Sequence, residues 1–127
     1  MSGKKKLDME YVINASPKVI YARISTPGGL SEWFADDVNL EGSIFTFMWE
    51  KTAQKAELIS TKENRSARFH WLDETDHKTY FEFKINQDDL TSDVSLTITD
   101  FADDDEIEDV KGLWDKQINN LKAQLGS

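Results

Sequence analysis

The sequence predicts an α+β fold in a single domain. A curved antiparallel sheet of about six to seven strands carries two short N-terminal helices and one long C-terminal helix packed across it. Three observations lead there. From about Asp103 to Leu125 the apolar residues Ile107, Val110, Leu113, Trp114, Ile118, Leu121 and Leu125 recur at steps of three and four, which is one face of an α-helix. The middle of the chain alternates apolar and polar residues in short runs broken by turn residues, and those connections are too short for parallel crossovers. Two Ser/Thr-Pro pairs near the N-terminus are helix starts. A lone amphipathic helix and a one-faced sheet each need the other to bury their apolar surface.

Taken in order, Leu7, Met9, Tyr11 and Ile13 alternate with Asp8, Glu10 and Asn14, a half-buried first strand. Ser16-Pro17 then starts a helix carrying Val19, Ile20 and Ile24, because Ser accepts an orphan N–H and Pro has none to lose. Thr26-Pro27 repeats the signal. It opens a second helix of about two turns with Leu30, Trp33 and Phe34, weakened by Gly28 and Gly29. Val38 and Leu40 form a short strand before the Glu41-Gly42 turn. Phe45, Phe47 and Trp49 then share one strand face, opposite Ile44, Thr46 and Met48. A strand over 53–61 follows, then a turn at Glu63-Asn64. Ala67, Phe69 and Trp71 share a face opposite Arg68 and His70. After a polar loop over 73–78, Phe81, Phe83 and Ile85 form the sixth strand, and Val94, Leu96 and Ile98 form the seventh. Gly112 stands alone inside the long helix, where Gly costs about 1 kcal/mol relative to Ala. It would suit either a close approach to the sheet or a bend away from it.

Composition narrows the function classes. The 127 residues suit one domain, and four Trp, three Tyr and seven Phe are ample to fill one core. The absence of cysteine excludes disulfides, zinc-thiolate sites and thiol catalysis. A net charge of −9 disfavours nucleic acid, and Lys4, Lys5 and Lys6 are the sole basic run. Residues 1–5 are expected to be disordered. No apolar run resembles a signal peptide or a membrane span, so a cytoplasmic location is expected. The seven carboxylates between Asp100 and Asp109 lack the Gly and terminal Glu of a calcium loop, and read as caps and dipole partners of the helix start. His70 and His77 are not at metal-ligand spacing. G-x-S-x-G, G-x-G-x-x-G and P-loop motifs do not occur. No catalytic residue, metal or cofactor is therefore assigned.

The remaining signal is apolar. Phe45, Phe47, Trp49, Phe69, Trp71, Phe81 and Phe83 fall on one face of their strands, with Leu113 and Trp114 of the long helix against it. Such a set either fills a core or lines a pocket for a small molecule.

The order of elements and several short motifs resemble a known family. The motifs are Ala15-Ser16-Pro17, Thr26-Pro27…Leu30…Trp33-Phe34, Gly42-Ser43-Ile44-Phe45-Thr46-Phe47, Phe69-His70-Trp71, and Gly112-Leu113-Trp114 with Ile118, Leu121 and Leu125. Across the whole chain they are similar to the START-like, or Bet v 1-like (SRPBCC), superfamily, and within it to the branch named for activators of the Hsp90 ATPase. The resemblance implies the helix-grip fold and a cavity between sheet and long helix. That cavity would hold a small hydrophobic, aromatic or lipid-like ligand without catalysis. Its lining candidates are Tyr11, Trp33, Phe45, Phe47, Trp49, Phe69, Trp71, Phe81, Phe83, Leu113, Trp114 and Ile118. The branch implies an alternative, a protein-interaction or chaperone-associated module. A cyclase- or hydrolase-type enzyme is the third reading, for which the inward faces offer few polar groups beyond Tyr11 and a reoriented His70.

Overall fold

The computed structural model of the chain describes residues 4–126. Seven antiparallel strands form one sheet: β1 (Lys5–Val12), β2 (Asp37–Glu41), β3 (Ile44–Trp49), β4 (Thr52–Lys62), β5 (Ser66–Trp71), β6 (Phe81–Gln87) and β7 (Val94–Ala102). Their spatial order is β1-β7-β6-β5-β4-β3-β2, so hairpins run from β2 to β7 and the first strand closes onto the last. The helices are α1 (Pro17–Ser25), α2 (Pro27–Leu30) and α3 (Ile107–Leu125). This is the α+β helix-grip arrangement the sequence predicts.

Period-two patterning builds the sheet. Phe45, Phe47, Phe69, Phe81, Phe83, Leu96 and Ile98 are essentially inaccessible to solvent, while their strand neighbours face outward. In β4 the register shifts between Leu58 and Ser60, leaving Ile59 as an extra residue that is 52% exposed. Such a bulge bends its strand and adds twist, which helps the sheet curve around the helix. Among the described residues no buried side-chain nitrogen or oxygen lacks a partner.

Both helix starts form as the sequence predicts. Ser16 Oγ accepts from Val19 N–H at 3.3 Å, and Thr26 Oγ1 accepts from Gly29 N–H at 3.0 Å, each with Pro in the first turn. The second helix is shorter than expected. It is a single turn ending at Leu30, and Trp33 and Phe34 sit in the turn that follows, where Phe34 N–H donates back to the Leu30 carbonyl at 2.9 Å. The Gly pair is not simply a weakness. A Cβ on Gly29 would stand 2.0 Å from the Ala22 carbonyl oxygen, so only Gly lets α2 dock against α1. An Arg23–Glu32 ion pair closes the same corner.

Three expectations change. Residues 1–3 of the basic N-terminus lie outside the described residues, but Lys5 opens β1, and Lys4 pairs with Glu74 at 2.6 Å. Asp100 does not belong to the helix start. It lies in β7, where the inward alternation Val94, Leu96, Ile98 continues onto a carboxylate. The helix itself begins later, after a 3₁₀ turn at Asp104–Glu106, and neither Asp103 nor Glu106 caps it through a side chain. Glu108 and Asp109 still stand in the first turn of α3, where they oppose its dipole.

Candidate functional site

Phe34 decides how much of the space beneath α3 is open. The turn after α2 drives its ring into the middle of the aromatic face. There it lies within 6.2 Å, centroid to centroid, of Trp33, Phe47, Trp49, Phe81, Phe83 and Trp114. Such ring pairs add about 0.5–1.5 kcal/mol each beyond their burial. The Phe34 backbone is held equally firmly. Its carbonyl accepts from Trp49 Nε1 at 3.0 Å and from Gln117 Nε2 at 3.2 Å, tying α2, β3 and α3 to one atom.

The centre of the inner face is therefore filled. Phe45, Phe47, Phe69, Phe81, Phe83 and Ile118 are packed core residues, and Trp33 is 4% exposed with its Nε1 donating to the Arg23 carbonyl. Tyr11 lies apart, half-buried near α3, where its hydroxyl donates to Asp115 at 2.6 Å. Burial, and then that hydrogen bond and the carboxylate charge, hold the hydroxyl protonated well above the ordinary tyrosine range.

Two hollows stay open beside this plug: a mainly polar one of about 600 Å³ between the turn after α2 and the outer side of α3, and a mainly apolar pocket of about 460 Å³ between α3 and the ends of β3, β4 and β5. Four of the sequence-assigned residues meet in the apolar pocket: Trp49, Trp71, Leu113 and Trp114. Leu113 stands at the rim, 58% exposed. Most of the accessible wall is apolar. Phe34, Thr52, Gln54, Asp100, Val110 and Gln117 complete it, and sequence reasoning did not assign these six to the site. A signal for Asp100 was present, since it continues the inward alternation of β7. Phe34 had none, because a turn and not a periodic element aims it.

Asp100 is the one carboxylate on the pocket wall. One of its oxygens accepts from Trp114 Nε1 at 2.8 Å and the other from the Phe101 amide at 2.7 Å. Burial pushes its pKa above the ordinary carboxylate range, against the lowering effect of those two donors and of the Lys4 charge. His70, the other titratable candidate, points to the outer face and shares a hydrogen bond of 2.8 Å between its Nδ1 and the Thr79 carbonyl.

A larger hollow of about 1000 Å³ runs along the outer face around the β4–β5 hairpin. Its surface is mainly polar, and its central Arg68 is already engaged by Glu82 at 2.9 Å and by the Tyr80 ring. The smaller apolar pocket suits a small-molecule ligand better.

Comparison with known proteins agrees with this architecture. BfR322 from Bacteroides fragilis, known from a solution structure, is 38% identical, with 96% of this chain and 91% of that chain covered and a TM-score of 0.69. The Aha1 dimer from Colwellia psychrerythraea is 17% identical over 93% of each chain, with a TM-score of 0.78. MLL2253 from Mesorhizobium loti is 15% identical over 96% of this chain and 97% of that one, with a TM-score of 0.77. At those two identities the likeness is one of fold. Among curated proteins no match was found. Among the described residues no helix is long and apolar enough to cross a membrane. The START-like superfamily domain matches residues 1–127, and with the seven-stranded sheet gripping α3 this means that the chain belongs to the START-like superfamily.

Proposed function

We propose that the protein binds a small hydrophobic, aromatic or lipid-like molecule, without catalysis, in the pocket between α3 and the β3–β5 ends. One observation carries the reading. The inner face is filled around Phe34, and beside that plug a mainly apolar pocket of about 460 Å³ stays open, with Trp49, Trp71 and Trp114 among its lining residues. That volume lies within the roughly 300–1,000 Å³ usual for small-molecule sites. A small amphiphile suits that volume, and would also cover the exposed side chain of Leu113.

The test is a thermal-shift and tryptophan-emission titration with small neutral amphiphiles such as octanol. Ligand at about a hundred times its Kd should stabilise the fold by about 2.7 kcal/mol. Emission should change in the same concentration range, because three of the four tryptophans line the pocket. A flat melting temperature together with unchanged emission would sink the proposal.

A further inference from the structure

We infer that the polar end of the ligand is an organic cation, an alkylammonium or related amine head, seated among the pocket tryptophans against Asp100. This rests on the ligand-binding reading above and narrows it.

The geometry selects the charge. Asp100 lies on the inward face of β7 at the pocket wall, and both its hydrogen-bond donors, the Trp114 indole and the Phe101 amide, are neutral. Each carboxylate oxygen keeps a further lone pair for a ligand. Lys4 is the cation whose charge reaches it, and Lys4 is already paired with Glu74 at 2.6 Å. The other polar groups of the pocket, Thr52, Gln54 and Gln117, carry no charge.

The rings select the same sign. Trp49 and Trp71 stand 6.4 Å apart at 50°, and both line the pocket. The negative faces of aromatic rings attract a cation within about 6 Å of their centroids. An anionic head would meet repulsion from Asp100. A neutral hydroxyl head could donate one hydrogen bond to the carboxylate but would leave its charge without a counter-charge. The net charge of −9 works in the same direction, by concentrating cations near the surface.

A cation beside Asp100 favours its charged form, whereas burial favours the protonated one. Binding should then release a proton, and affinity should rise as pH rises through the Asp100 titration. The charged and titratable groups around Asp100 are Lys4 before β1, Glu74 and Tyr80 from the connection after β5, and Asp103 and Glu106 beyond β7, which act on Lys4. The residues that α3 turns toward the pocket, Val110, Leu113, Trp114 and Gln117, do not titrate.

The test compares three probes of one chain length by calorimetry and tryptophan emission: octyltrimethylammonium, octanol and octanoate. The ammonium should bind at least about tenfold tighter than octanol, and octanoate weakest. The ammonium affinity should climb as pH rises above the ordinary aspartate value of about 3.9 and through the raised Asp100 titration, and octanol affinity should not. Asp100→Asn, checked for folding by circular dichroism, should bring the ammonium to the affinity octanol shows on the same variant. Equal binding of ammonium and octanol, an ammonium affinity independent of pH, or a preference that survives Asp100→Asn would overturn the cation site and leave the apolar pocket standing. Failure of all three probes to bind would overturn both.

Discussion

Gly29 and Gly112 both interrupt helical stretches, and their surroundings give them opposite meanings. A Cβ at Gly29 would collide with the backbone of α1, whereas a Cβ at Gly112 meets nothing within 4 Å. Gly112 is on the exposed side of α3, so it neither admits a close approach to the sheet nor shapes the pocket. Gly112→Ala should stabilise the protein by about 0.5–1 kcal/mol in a urea melt, through helix propensity alone. Gly29→Ala should destabilise it by about 1–3 kcal/mol or more, because the backbone of α1 must shift. Asp100 makes a prediction of a different kind. Its folded pKa is raised, so the native state holds a proton that the unfolded state has already lost over part of the acid range. Its contribution to stability is full below the unfolded value of about 3.9 and is lost as pH rises through the folded value. The unfolding free energy of the wild type relative to Asp100→Asn should therefore fall over that window in parallel chemical melts. A difference that rises with pH would contradict the placement of Asp100 in a desolvated wall.

At the scale of elements, the turn after α2 matters more than its length suggests. One helical turn, started by Thr26-Pro27 and ended at Leu30, delivers Phe34 to the ring cluster and its carbonyl to β3 and α3. Phe34→Ala should cost about 3–5 kcal/mol, as large-to-small core changes of aromatic residues do. It should also join the vacated space to the pocket beneath α3, so that longer amphiphiles bind the variant than bind the wild type. Trp114 is the corresponding plug from α3. It is 5% exposed and packs on Phe34, Phe81 and Phe83 while its indole N–H serves Asp100. The periodicity of α3 and the alternation of the strands were readable because each element repeats its own contact with the core. The pocket was only half readable. Trp49, Trp71, Leu113 and Trp114 follow from those periods, but Phe34 arrives by a turn whose direction depends on how α2 docks on α1. The acidic run misled for a related reason. Seven neighbouring carboxylates look alike in sequence, yet the end of β7 falls among them and places Asp100 in a different environment from the rest.

Across the whole molecule, the sheet is most secure at its middle. β5, β6 and β7 are flanked on both sides, while β2 is a short edge strand whose Leu40 is 46% exposed. In native-state hydrogen exchange, amides of β6 and β7 should be protected close to the global unfolding limit, and those of β2 should exchange first. Protection of β2 equal to that of β6 would point to a partner or a second copy pairing with that edge. The first strand is an edge too, but side-chain bonds tie it to its inner neighbour β7 and to the connection after β5. Thr99 donates to Asp8 at 2.6 Å, Ser95 donates to Glu10 at 2.7 Å, and Lys4 reaches Glu74.

By itself the sequence determined the identity of the elements, the strand faces and the helix starts. These depend on interactions between residues a few positions apart, whose periods are written along the chain. It also determined that the inner face would be aromatic. Only the tertiary structure decided that this face is mostly core, that Phe34 is its plug, and that a pocket survives where three tryptophans meet Asp100. Those outcomes depend on where the turn after α2, the end of β7 and the start of α3 come together. That meeting is set by the docking of α2 on α1 and the curvature of the sheet, neither of which has a period in the sequence.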